Sequence, residues 1–231
     1  MTPIVSFAGA SGGLGTSTVA AAYALLDAAP DSHALVDLDP RGRIDVVCGC
    51  DHLPGLRWPD LHQLSGPPEA AQILARLPRC DGVRVLAGGA GPTPSQQVRR
   101  EVIAALADQV ELLVLDVGRA VEQVPELIGI GQLVVVCGVG AGGLADVDAV
   151  VADVTNGFVL TRGTRRLARL GERIAEHCGL PSVGHLVDDP HIRRDLERGL
   201  APRRHLRGVA TRLRQALEAA DATTEAPAGA A

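Results

Sequence analysis

The chain has 231 residues, a formal net charge of −5, 46% hydrophobic residues and 2% aromatic ones. That apolar content suffices for one α/β core filled by Val, Leu, Ile and Ala, and the scarcity of aromatics excludes a base-stacking surface for single strands. All 22 basic residues are arginine, which removes any chemistry that needs an amine side chain. Five cysteines, Cys48, Cys50, Cys80, Cys137 and Cys178, form no CxxC pair, which argues against a zinc site. Their odd number, with no basic-then-apolar leader, leads us to expect a cytoplasmic protein. No stretch of about 18 residues stays apolar, so no transmembrane segment is expected.

In chain order, apolar runs of strand length fall at 4–8, 34–38, 83–86, 112–117, 133–136 and 157–160. Helical patterns occupy 15–29, 68–77, 95–107, 143–154, 165–178, 190–199 and 203–220. Strand and helix alternating in this way predict an α/β fold with a mostly parallel sheet and helices on both faces. We expect one domain over 1–220 and a disordered Ala/Thr/Pro-rich tail over 221–231. Residues 42–66 read as a loop with short helical turns, in which the single Trp58 plugs the core.

Ile4 to Thr18 reads as an apolar strand, a glycine-rich turn and an Ala-rich helix. Such a turn can aim successive backbone N–H groups inward, and the helix adds its positive dipole end, which is the plan of a phosphate cradle, although a plain tight turn has the same composition. The order Gly12-Gly13-Leu14-Gly15-Thr16-Ser17-Thr18 resembles the deviant Walker A loop of the MinD/ParA ATPases. That family has lysines where this chain has Ser11 and Thr16, so the main local cation for phosphoryl transfer is missing. Ser17 keeps the hydroxyl that the family uses on Mg²⁺. Leu35-Val36-Asp37-Leu38-Asp39-Pro40 resembles the family's second-strand motif, and Leu112–Asp116 its Walker B strand. The resemblance implies an ATP/ADP site with Gly12, Gly13, Leu14, Gly15, Thr16, Ser17 and Thr18 around the phosphates. It places Ser17, Asp37 and Asp116 near Mg²⁺, partly through water, and gives Asp39 the attacking water to position if hydrolysis occurs. Strand-end aspartates also cap following turns, which is the plain structural alternative. Thr161-Arg162 stands where the family's adenine-contacting strand usually ends in Asn-Arg.

Ile44–Gly49, Pro54–Leu61 and Asp188–Gly199 resemble the actinobacterial septum-site-determining, CpaE-like (TadZ-like) branch, without its N-terminal receiver-like domain. The resemblance implies a nucleotide-binding positioning protein with weak or no hydrolysis, a homodimer that acts with division proteins or a pilus or secretion ATPase. Location at a pole or septum would then come through partners. Arg41, Arg43, Arg119 and Arg162 are the candidates to replace the lysines if turnover survives. Two alternatives are a pure scaffold and a ParA-like nonspecific DNA-binding protein. The latter rests on residues 193–214, with eight arginines and two acids. The stripe Leu206, Val209, Leu213 and Leu217 is expected to pack on the sheet rather than on a membrane surface.

Overall fold

The computed structural model describes residues 3–39, 42–118, 131–140, 142–151, 154 and 156–225. The elements in order are β1 (Ile4–Gly9), α1 (Thr16–Ala24), β2 (His33–Asp37), α2 (Ile44–Cys48), a 3-10 turn (Trp58–Leu61), α3 (Ala70–Arg76), β3 (Arg79–Cys80), β4 (Val83–Leu86) and α4 (Gln96–Ala107). They continue as β5 (Leu112–Gly118), β6 (Gln132–Gly138), α5 (Gly143–Val151), β7 (Gly157–Gly163), a 3-10 turn (Arg165–Leu167), α6 (Ala168–Cys178), β8 (Ser182–Val187), α7 (Pro190–Glu197) and α8 (Arg203–Glu225). The strands form one sheet in the order β3-β4-β2-β5-β1-β6-β7-β8. Every pairing is parallel except β3 with β4.

The central strands are apolar on both faces because both faces are covered. On one side Val5, Phe7, Leu35, Val114 and Val134 meet α1, α2 and α8. On the other, Leu113, Leu115 and Val135 meet Trp58, Ile73, Ile103, Val147 and Ile174. The Ala-rich face of α1 lets that helix lie close to the strands, with Ala20, Ala21 and Ala24 fully buried. The stripe on α8 packs inward as expected, with Leu206, Leu213 and Leu217 at 2% exposure or less beside α1 and β8.

The largest differences from the sequence expectation are two helix ends and two edge strands. Helix α1 ends at Ala24 rather than Ala29, because Asp27 turns the chain with φ of 51°. Helix α8 continues to Glu225, past the start of the expected tail at Asp221, since Ala-rich sequence sustains a helix; residues 226–231 lie outside the described residues. Strand β8 was not read as a strand because Gly184 and His185 interrupt its apolar pattern, and only Val183 and Leu186 are buried. The short hairpin of β3 and β4 turns on Asp81-Gly82, both with positive φ (45° and 91°), a hairpin signal that went unread.

The irregular segment after β2 is a clamp. Asp45 is buried and receives Arg57 Nε at 3.1 Å and Arg43 Nε at 3.4 Å. Arg57 also donates to the carbonyls of Leu53, Gly55 and Leu56, while Asp60 accepts the Arg57 backbone N–H at 2.7 Å. Trp58 is fully buried as expected, and its indole N–H donates to the Asp37 carbonyl at 2.5 Å. The unusual Gly55–Leu61 string therefore fixes the end of β2. Arg57→Ala leaves the buried Asp45 carboxylate with only the exposed Arg43 and the Val46 N–H, so the variant is expected to lose about 2 kcal/mol of unfolding free energy in urea titration. A loss below about 1 kcal/mol would mean that the clamp is not closed in solution.

Candidate functional site

Strand β1 sits mid-sheet, and the glycine loop leaves its C-terminal end between β5 and β6. Gly13 and Gly15 both have φ of 77°, and Gly15 stands at the N-terminus of α1 with no side-chain cap on the helix. A left-handed glycine there turns backbone N–H groups toward the loop interior at the positive end of the helix dipole. Gly12 and Gly13 are exposed, Leu14, Gly15, Ser17 and Thr18 half-buried, and Thr16 buried. Thr16 packs under the loop, where a Cβ on Gly9 would stand 2.6 Å from its hydroxyl.

The strand-end carboxylates converge beneath this loop. Asp116 lies beside Phe7 on β1 and beside Asp37 on β2 in the sheet register. It is 3% exposed, holds a side-chain hydrogen bond with Ser17 and accepts the Gly118 N–H at 3.2 Å. Burial, with a smaller push from the Asp39 charge, outweighs the Ser17 and Gly118 hydrogen bonds and raises its pKa to about 6. Asp37 accepts the N–H groups of Asp39 and Ile44, both at 3.1 Å, and Gly42 presses against the same carboxylate. Burial first, and the Asp116 charge second, push Asp37 up to about 8. Asp39 is exposed at the rim, and its charge raises both neighbours. The structure thus joins Ser17 to Asp116 directly. It sets Asp37 beside them with both oxygens tied to the following loop, as the capping alternative anticipates.

Of the four candidate cations, Arg41 and Arg119 lie outside the described residues, and Arg43 is turned to Asp45. Arg162 does reach the loop: its Nη1 donates to the Gly13 carbonyl at 3.2 Å, and its Nε to Asp188 Oδ1 at 2.8 Å. Thr161, buried beside it, meets His185 Nδ1 at 2.9 Å and so faces β8 rather than the loop. Arg99 on α4 was missed by sequence reasoning. It donates to the Leu38 carbonyl at 3.1 Å next to the acids, and its buried Nε has no hydrogen-bond partner among the described residues. No spacing in the sequence marks it, because its placement depends on how α4 packs over β2.

Two cavities flank the loop. One of about 300 Å³ lies against α1, lined by Gly15, Thr18, Leu186, Asp189, Ile192 and Leu206. The other, of about 420 Å³, lies toward β6 and α5, lined by Ser11, Leu14, Gly138, Gly140, Asp146 and Asp188. Gly13 and Arg162 line both. Helix α7 walls the first cavity although none of its residues is buried. His205 of α8 holds it, lying 3.0 Å from Asp195 and 3.4 Å from Asp189, with the His191 ring stacked at 5.8 Å.

Asp37 keeps a proton in the folded chain that the unfolded chain releases above about pH 4. Its contribution therefore opposes folding increasingly as pH rises from about 4 to 8. Asp37→Asn loses a hydrogen bond at every pH but removes this slope. Thermal unfolding is expected to show the variant gaining on the wild type between about pH 5 and pH 8. A pH-independent difference would mean that the folded Asp37 is not protonated.

No protein-family profile matches the chain. It is 33% identical over 209 residues to uncharacterized protein Rv3660c of Mycobacterium tuberculosis (strain ATCC 25618 / H37Rv), a match that covers 85% of this chain and 57% of that protein. Uncharacterized protein MT3760 of strain CDC 1551 / Oshkosh matches to the same extent, so the chain spans little more than half the length of these relatives. Its structural neighbours are MinD/ParA-family P-loop proteins. The ParA family ATPase of Chlorobium tepidum TLS superposes with a TM-score of 0.76 at 15% identity, covering 90% of this chain and 96% of that one. The MinD cell division protein of Aquifex aeolicus gives 0.70 at 15% identity, covering 93% and 98%. The septum site-determining protein MinD of Pyrococcus horikoshii OT3, complexed with Mg-ADP, gives 0.67 at 17% identity, covering 97% and 98%. The chain has the MinD/ParA P-loop fold.

Proposed function

We propose that the chain binds ATP or ADP with Mg²⁺ at the glycine loop and acts as a nucleotide-responsive positioning protein with weak or no hydrolysis. The observation that carries this reading is the Ser17–Asp116 hydrogen bond beneath a loop whose glycines turn backbone N–H groups inward. A hydroxyl and a carboxylate held together at the positive end of a helix suit a hydrated Mg²⁺ shared with phosphate oxygens. Among the described residues no cluster of three His, Cys, Asp or Glu side chains is set to hold a metal, so the cation would come with the nucleotide's own oxygens. Gly12 to Thr18 cradle the phosphates, Ser17 and Asp116 hold the metal, and Asp39 at the rim positions water if hydrolysis occurs. Asp37 acts mainly by shaping the loop that carries Asp39. Without a lysine the transferring phosphoryl group lacks its usual charge partner, which keeps turnover slow.

In this reading the chain works as a homodimer in septum-site or cell-division placement, or in assembly of a Flp-type pilus or secretion system. The division role is supported by the MinD-like fold and by the septum-branch resemblance of Gly55–Leu61; the pilus and secretion roles rest on the resemblance alone. A DNA-binding role is weakened because Arg203, Arg207 and Arg193 pair with Asp81, Asp27 and Glu197, and Arg214 donates to the Leu26 carbonyl. One observation favours a scaffold of the same fold that binds no nucleotide: the Asp37 carboxylate is occupied by its own backbone.

Isothermal titration with ATP and ADP, with and without Mg²⁺, followed by phosphate release, separates these readings. Mg²⁺-dependent binding that weakens about tenfold or more in Ser17→Ala, with little phosphate release, is the expected result. A folded wild-type chain that binds neither nucleotide would overturn the nucleotide reading and favour the scaffold.

A further inference from the structure

A loop without lysine leaves the phosphate charge of a nucleotide to be met from elsewhere. The side chain that meets the loop comes from the second strand along the sheet. Arg162 ends β7, two strands from β1, and its guanidinium crosses to the rim of the glycine turn. It lies so near Gly15 that a Cβ there would stand 2.7 Å from Nη1, so Gly15 leaves room for the cation as well as for the turn. The same guanidinium borders both cavities beside the loop.

Its present partners are weak. The Gly13 carbonyl is a neutral acceptor at 3.2 Å, and Asp188 is a one-point contact on a carboxylate 53% exposed. An exposed pair of this kind contributes little to stability, whereas a phosphate offers more negative charge and a second acceptor for the planar fork. The Nε bond to Asp188 holds the side chain in place, while Nη1 already lies against the loop.

We infer that Arg162 is the phosphate-reading cation of this loop. It takes nucleoside diphosphates and triphosphates by their phosphate charge, with Asp188 as the positioning residue that keeps its guanidinium at the turn. This rests on the nucleotide-binding reading above. An arginine in this place grips phosphate oxygens from the side of the loop. The site therefore selects ligands by phosphate number.

The test is titration of the full chain, as wild type, Arg162→Ala and Arg162→Gln, with Mg-ADP, inorganic pyrophosphate and adenosine, and circular dichroism to confirm folding. Both variants are expected to bind ADP and pyrophosphate about ten- to a hundredfold more weakly and adenosine unchanged, the weight of a hydrogen bond to a charged group. Asp188→Asn keeps an acceptor for Nε and removes a competing negative charge, so it is expected to keep ADP binding within about threefold with a salt dependence at least as steep as that of the wild type, whereas the Arg162 variants make it shallower. ADP affinity within twofold of wild type in a folded Arg162 variant would overturn the inference. Equal losses for adenosine and ADP would also overturn it, by reducing Arg162 to a cavity wall. A wild-type chain that binds neither ADP nor pyrophosphate fails earlier, and sinks the nucleotide reading itself.

Discussion

Two carboxyl groups, Asp37 and Asp116, lie side by side on neighbouring strands in the middle of the sheet, each almost wholly removed from water. Burial of that kind is unfavourable unless each oxygen finds a donor or a proton. Much of the surrounding structure answers this requirement. Asp39 and Ile44 turn their N–H groups back onto Asp37, and Gly42 lies close enough that any side chain there would collide with it. The Trp58 indole pins the carbonyl of the same residue, and the Asp45–Arg57 pair holds Trp58's segment in place. Asp116 is served from the other side by Ser17 and Gly118. The raised pKa values of both acids follow first from burial that these donors do not fully offset, a demand for partners at this point of the fold.

That demand is what connects the glycine loop to the string at residues 55–61. In the sequence they are separated by some forty residues and look like independent signatures. In the fold the string supports the end of β2, β2 adjoins β5, and Asp116 on β5 reaches the loop's serine. A change at Arg57 therefore acts on the same carboxylates as a change at Ser17, one through backbone position and the other by direct contact.

Much of the architecture was legible in the sequence because buried parallel strands write themselves as short apolar runs and their covering helices as longer periodic ones. The central strands β1, β2, β5 and β6 were read on that basis. Edge strands were not: β8 carries Gly184 and His185 where a central strand would be apolar, and β3 has two residues. At the site, the loop glycines and strand-end aspartates were legible from order and spacing. The division of labour between the two aspartates was not, since it depends on where the backbone after Asp37 turns. Arg99 was invisible for the same kind of reason, because its neighbours come from a strand some sixty residues away. Arg162 was visible as an arginine at a strand end, but only the fold selects it from the other candidates.

Helix α7 is the least anchored wall of the site, a two-turn segment with no buried residue that is tied to α8 chiefly through His205. A segment with so little apolar burial opens at a small fraction of the free energy needed to unfold the sheet. Its backbone amides will trade protons with solvent long before those of β1 or β5. Whatever settles in the cavity beneath α7 adds contacts to Ile192 and Leu196 that the empty protein lacks. Occupancy would thus be recorded as a slowing of local breathing in this one short helix, and a partner that recognised α7 only when quiet would be reading the state of a loop it never touches.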